Sequence, residues 1–291
     1  MKIGAVFPST DIGADVAAIR DFAQTAEGLG YSHLLLPDHV LGAVHEAREP
    51  PLTGPYTEKT EFHEPLTTFA YLAAITTRIE FSTGILILPQ RQTALVAKQA
   101  AQVALLSGDR FRMGVGVGWN WVEYEALNET WEDRGRRQEE QIELLKLLWT
   151  KPVLDYRGKW HRIDRAGLAP LPKKPIPIWL GGYVEAAWRR AARLGDGFIF
   201  PGVKMTEAQA IMDKIRGWVA ENGRDPAAFG FEGAVMTHAP QAKWSEHLES
   251  WRRLGATHVV VRAMTREGFS LETPQDHIRM LETWWRTAQG G

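Results

Sequence analysis

The 291-residue chain contains no cysteine. Disulfides, thiolate metal ligands and thiol nucleophiles are therefore excluded, and a cytoplasmic location becomes the expectation. No apolar run approaches the roughly 18 residues of a membrane span, so no membrane partner is expected. Charge of one sign is not in excess either. The 34 basic and 35 acidic residues leave a net charge of −1, which argues against a nucleic-acid binder relying on bulk positive charge. Residues 1–7 read as a strand and not as a signal peptide. Tryptophan, by contrast, is plentiful, with 12 residues. An indole is costly to leave wet, so large apolar pockets or a subunit interface are expected.

Short β-branched or Leu-rich runs alternate with amphipathic runs throughout. Strands are predicted over 2–7, 32–37, 79–86, 112–117, 176–180, 197–200, 229–236 and 258–262. Helices are predicted between them, with Val184, Ala187, Trp188, Ala191 and Leu194 recurring at helical spacing. Eight strand–helix units imply parallel neighbours joined by crossovers, the number that closes a (β/α)8 TIM barrel. An open doubly wound sheet is the alternative that the pattern leaves. Two segments interrupt the repeat, one after strand 2 and one before strand 5. Residues 39–63, rich in Pro, Gly and charge, read as an active-site loop or lid. Residues 152–177 read as a hairpin around Arg157-Gly158 with a proline-rich return. The expectation is one barrel domain spanning 1–291.

In such a barrel the site is built from residues just after each strand. Few of them ionise here. A glycosidase needs two facing carboxylates, and only Asp38 is offered. No zinc HExxH and no Gly-x-Ser-x-Gly elbow occurs, and no metal site is expected. A mouth of glycine and apolar surface suits a large planar ring with a phosphate, a bound cofactor supplying the difficult chemistry. Asp38 and His39 either brace the loop or, in the case of His39, move a proton near neutral pH. Gly181-Gly182 either form a plain turn or let an anion approach the following helix N-terminus. His63 and Glu64 either cap the second helix or reach the substrate cavity. Gly114 and Gly116 read as small residues that let strands pack closely, and Glu123 as a structural helix residue. Arg134, Arg136 and Arg137 read as a solvated helix start. Arg262 is a surface ion pair or, under the general barrel rule for phosphates, an anion ligand. Trp284-Trp285 reads as core or dimer packing.

Several segments taken together carry a resemblance: PDHV over 37–40, TRIEFSTGI over 77–85, SGDRFRMGVGVGWN over 107–120, EYEAL over 123–127, PIWLGG over 177–182 and GDGF over 195–198. They resemble the bacterial luciferase-like superfamily, in particular its coenzyme F420-dependent oxidoreductases. The resemblance implies a deazaflavin, or alternatively FMN, across the barrel mouth, a small-molecule substrate and a homodimer. It implies that His39 and Asp38 lie at the reacting centre and that Thr83, Gly84 and Ile85 support the ring, the Gly84–Ile85 peptide being cis. It places Asn120 beside the cofactor, and Gly181, Gly182, Pro201 and Gly202 at its phosphate. His63, Glu64 and Trp119 would shape the substrate pocket. Sugar-phosphate-oxidising relatives carry a glutamate where Trp119 stands, which puts that substrate class in doubt. The implied reaction is hydride transfer. An FMNH2-dependent monooxygenase fed by a separate reductase, or a flavin-binding barrel without turnover, are the other readings.

Overall fold

A computed structural model describes residues 1–265 and 269–289. Eight parallel strands form its barrel: β1 (Lys2–Val6), β2 (His33–Leu36), β3 (Glu80–Thr83), β5 (Phe111–Gly116), β8 (Ile178–Gly181), β9 (Gly197–Ile199), β10 (Gly230–Met236) and β11 (His258–Arg262). The hydrogen-bonded order is β3-β2-β1-β11-β10-β9-β8-β5, and β3 also pairs with β5. That last pairing closes the ring and excludes the open sheet. A two-residue strand, β4 (Leu86–Ile87), continues β3 and pairs with β5. The run 79–86, read as one strand from sequence, is thus broken at its centre, where the Gly84–Ile85 peptide is cis.

Helices α1 (Val16–Leu29), α2 (Pro65–Ile75), α3 (Thr93–Ser107), α4 (Trp121–Ala126), α5 (Arg134–Thr150), α6 (Glu185–Leu194), α7 (Met205–Glu221), α8 (Trp244–Leu254) and α9 (Pro274–Gln289) pack outside the ring. Their ends follow local chemistry. Asp15 caps α1 by accepting from the Ala17 N–H, and Gly30 ends it in the left-handed region at φ 101°. The predicted hairpin forms as antiparallel β6 (Leu154–Arg157) and β7 (Arg162–Ala166). Trp284 is fully buried and Trp285 packs on Tyr31 at 4.6 Å, so this pair belongs to the α1–α9 contact.

The core has two layers. One lies between strands and helices and includes Phe22, Phe69, Phe81, Leu145 and Trp251. The other fills the barrel with Val6, Leu35, Trp179, Ile199, Val260 and Met264. The N-terminal end of the interior is charged. His33 Nε2 lies 2.5 Å from Glu232 Oε1, and Arg112 Nη2 donates to Glu232 Oε2 at 2.8 Å. The Arg112 guanidinium lies 4.0 Å from the centre of the Trp179 ring, whose other neighbour is His258. Gly4 makes room for this layer, since a Cβ there would stand 2.4 Å from the His33 ring.

Burial works against the charged form of Glu232, but Arg112 and His33 outweigh it and hold the carboxyl down at about 2. Burial and then the charges of Arg112, His33 and Lys2, opposed by Glu232, depress His258 to about 3. Both folded-state values lie below their unfolded ones, so the unfolded chain binds more protons and acid destabilises the fold. The His258 contribution is intact above about 6.5 and is lost as pH falls toward 3; that of Glu232 is lost from about 4.5 toward 2. His258 should therefore remove about 1 kcal/mol of stability per pH unit just below 6.5. Urea unfolding at pH 7, 6 and 5 should show a shallower loss for His258→Gln than for the parent; equal slopes would contradict the assignment.

Candidate functional site

The C-terminal ends of β1, β2, β4, β5, β8, β9, β10 and β11 ring the barrel mouth. The first turn after β2 carries the densest polar network. His39 Nδ1 lies 2.8 Å from Glu123 Oε2, while Glu123 Oε1 accepts from the N–H groups of Val40 at 2.7 Å and Leu41 at 3.1 Å. Glu123 is fully buried at the start of α4. A carboxylate oxygen only accepts, so His39 donates through Nδ1, and in the neutral imidazole Nε2 is then the nitrogen that carries the lone pair. The other neighbours of the imidazole are aromatic: Phe62 at 4.9 Å, and Tyr56 and Trp119 at 5.4 Å. Glu123, read from sequence as a structural helix residue, is the principal addition to the site. Its helical spacing from Asn120 gave no signal of a partner 84 residues earlier.

Asp38 is turned away from this cluster. Its Oδ1 pairs with Arg91 at 2.7 Å and its Oδ2 accepts from the Ile87 N–H at 3.0 Å. Burial pushes its carboxyl up, against the pull of Arg91 and the Ile87 N–H. Asp38 thus clamps the end of β2 to β4, immediately beyond the break at Gly84–Ile85. The bracing role fits it better than a catalytic one. Glu64 likewise caps α2, accepting from the Thr67 N–H at 2.6 Å, and stands 3.4 Å from Arg91. His63 reaches the carbonyl of Gly13 at 2.9 Å and packs on Phe7, 6.1 Å away. Asn120 is buried with both polar ends engaged: its Oδ1 accepts from Val122 N and its Nδ2 donates to Leu41 O. Its side chain therefore holds α4 and the loop. Trp119 packs so closely on Gly54 that a Cβ there would stand 2.0 Å from the indole.

Thr83 is buried and donates through Oγ1 to the Gly114 carbonyl at 2.6 Å. Ile85, beyond the break, belongs to the inner barrel layer. Gly116 admits it, since a Cβ there would stand 2.6 Å from Ile85 Cδ1. The close-packing role expected of Gly114 and Gly116 is the one they have. Across the mouth, Gly182, Pro201 and Gly202 line a cavity of about 330 Å³ with Tyr183, Trp188 and Lys214. The N-cap of α6, Val184, offers no side-chain acceptor, so the first N–H groups of that helix lack a side-chain partner. Gly181 ends β8 beside them. Arg137, expected to be solvated, is buried and bonds Asp133, Glu129 and the carbonyls of Pro89 and Thr130. It anchors α5 instead of offering a free charge.

Two outcomes test this geometry. Removing Arg91 strands a buried carboxyl, so Arg91→Ala should cost about 3–5 kcal/mol in urea unfolding; a loss under about 1 kcal/mol would mean that Asp38 is not clamped. Long-range proton–nitrogen NMR on histidine-labelled protein should find His39 in the Nδ1–H tautomer, with the preference lost in Glu123→Gln. An Nε2–H tautomer in the parent would refute the pairing.

The chain is similar to several known proteins. The family model of the luciferase-like monooxygenases matches residues 1–286. A protein of Mycobacterium tuberculosis strain H37Rv, described only as uncharacterised, is 35% identical over 207 residues, 69% of this chain and 71% of that one. The FMNH2-dependent dimethylsulfone monooxygenase of Pseudomonas fluorescens is 31% identical over 225 residues, 76% of this chain and 57% of the relative. The F420-dependent glucose-6-phosphate dehydrogenase of Amycolatopsis mediterranei is 29% identical over 275 residues, 89% and 78% of the two chains. With a closed (β/α)8 barrel and a family match over nearly its whole length, the chain belongs to the luciferase-like oxidoreductases, a family with both F420- and FMNH2-dependent members.

Proposed function

We propose that the protein is a coenzyme F420-dependent oxidoreductase that transfers hydride to or from a small organic substrate. The observation that carries this reading is the buried Glu123 beneath His39, which leaves an imidazole nitrogen with an unshared pair in an aromatic wall of the mouth. The residues present suit a ring bearing a phosphate. The cavity at Gly182, Pro201 and Gly202 adjoins an uncapped helix N-terminus and contains Lys214. Gly181, Gly182, Pro201 and Gly202 would hold the phosphate, and Thr83, Gly84 and Ile85 would support the ring from below.

A bound deazaflavin would supply a two-electron carbon centre that accepts or gives hydride. His39 handles the accompanying proton. When a substrate alcohol is oxidised, Nε2 takes the hydroxyl proton; in the reverse direction the imidazolium returns it. Glu123 holds the ring orientation and offsets the imidazolium charge. Tyr56, Phe62 and Trp119 exclude water from the transfer and shape the substrate pocket with His63. Asp38, Glu64 and Asn120 keep the loop in place.

The FMNH2 reading, with oxygen and a separate reductase, is favoured by one observation. Among the described residues that line the cavity at the proposed phosphate end, Lys214 is the one cation. It stands 3.7 Å from Glu185 and shares the lining with Glu207, which is sparse positive charge for a long anionic tail. Fluorescence titration with F420 and with FMN separates the two, and F420 should bind more tightly. Given a substrate, turnover should proceed without oxygen. His39→Ala should lower kcat by about 10²–10⁴-fold while leaving cofactor affinity nearly unchanged. An oxygen requirement would move the assignment to the monooxygenase, and undiminished turnover by His39→Ala would remove the histidine from the mechanism.

A further inference from the structure

Three aromatic rings stand around His39. Phe62 lies 4.9 Å from the imidazole, Tyr56 and Trp119 lie 5.4 Å from it, and Tyr56 packs edge-on against Phe62 at 4.8 Å. All three rings are only partly buried, whereas core rings such as Phe22, Phe69 and Phe81 are fully enclosed. Their open faces are aromatic surface that is costly to leave wet and that a ligand of the same character would cover.

This wall offers a hydroxyl, on Tyr56, but no positive charge. Among the described residues, no cation is a hydrogen-bond or ring neighbour of His39. The Arg91 guanidinium is taken by Asp38 and Glu64, and Arg48 donates to the Val44 carbonyl and lies over Trp121. His63 and His45 contact the carbonyls of Gly13 and Tyr56, and Lys59 is exposed. Negative charge, by contrast, is concentrated here. Residues 39–64 contain five glutamates against one arginine and one lysine, and Glu123 is buried behind the imidazole. A carboxylate or phosphate placed against the rings would lose water without gaining a partner, in a field of its own sign.

Given the hydride-transfer reading above, on which this rests, we infer that the substrate is an uncharged alcohol or carbonyl compound with an aromatic substituent, and that Tyr56, Phe62 and Trp119 determine this specificity. The substituent lies among the three rings and the substrate oxygen faces His39. In the oxidising direction the carbinol C–H bond breaks and its electron pair leaves as hydride to the oxidised deazaflavin. The O–H proton passes to His39 Nε2 and the C=O bond forms. Reduction of the carbonyl reverses each transfer, with the reduced deazaflavin as hydride donor and the imidazolium as proton donor. A cationic substrate is selected against as well, because it would oppose the imidazolium that forms when the proton is taken.

The test is ligand-observed NMR titration of the full chain with acetophenone, para-acetylbenzoate and para-acetylphenyltrimethylammonium, near neutral pH and with oxidised F420 present, which cannot reduce them. Acetophenone should bind with a Kd below about 10 mM, and each charged analogue at least about tenfold more weakly. Trp119→Ala should weaken acetophenone binding by about fivefold or more. Tyr56→Lys should recover most of the lost affinity for para-acetylbenzoate and none for the trimethylammonium compound, a response that a merely structural role would not give. Either charged analogue bound within about threefold of acetophenone, or no acetophenone binding up to about 10 mM, would overturn the inference. Reduced F420, supplied separately and followed by its absorbance, then reports hydride transfer. Transfer to para-acetylbenzoate as fast as to acetophenone removes the substrate class and leaves the cofactor reading standing. Acetophenone binding in the expected pattern without any transfer removes the cofactor reading and leaves the charge selection of the wall standing.

Discussion

One buried carboxylate organises the mouth of this barrel. Glu123 accepts three hydrogen bonds, all from the first residues after β2. Two go to main-chain N–H groups and one to the His39 imidazole, so the same side chain fixes where the long 39–64 loop departs and how its first histidine is turned. A buried carboxylate is stable only when its lone pairs are engaged. The loop supplies that engagement, and the carboxylate in return holds the loop. Asp38 repeats the logic one residue earlier, tying β2 to Arg91 and to the N–H of Ile87. Together they make the end of β2 rigid beside the broken strand β3–β4.

The two ends of the barrel solve different problems. At the N-terminal end the interior is closed by His33, Arg112, Glu232 and His258, packed on Trp179. Such a charged plug is a costly way to fill space compared with aliphatic side chains. Its stability rests on full pairing of Glu232, by His33 on one oxygen and Arg112 on the other. At the mouth the reverse holds. Gly116, Gly181, Gly182 and Gly202 leave the strand ends thin, and Asp38, Glu64 and Glu123 are held in clamps and caps.

Much of the architecture was legible from periodicity. The alternation of strand and helix predicted eight units, and the Arg157-Gly158 turn predicted the hairpin; both are local signals. The break after Thr83 left no trace in hydropathy, because 79–86 reads as an uninterrupted strand, and its position was suggested by family resemblance. The site was legible only in outline. His39, Trp119 and the paired glycines stood out because they follow strands, but Asp38, Glu64 and Asn120 turned out to be engaged in clamps and caps. Glu123 was undervalued because its partners come from a loop that returns across the barrel. The Arg112–Glu232–His33 cluster was invisible for the same reason, since its members lie on separate strands. The signal that could have found it was a charged residue at an inward position of several strands, in phase with Leu35, Gly114 and Ala234 two residues on.

The most direct test of the account is a crystal structure with F420 bound. The deazaflavin face should lie against Ile85, with the reactive ring carbon beside His39, the phosphate at Gly182, Pro201 and Gly202, and the His39–Glu123 hydrogen bond intact. A ring bound elsewhere, or a mouth in which His39 has left Glu123 and points away from the cofactor, would contradict it.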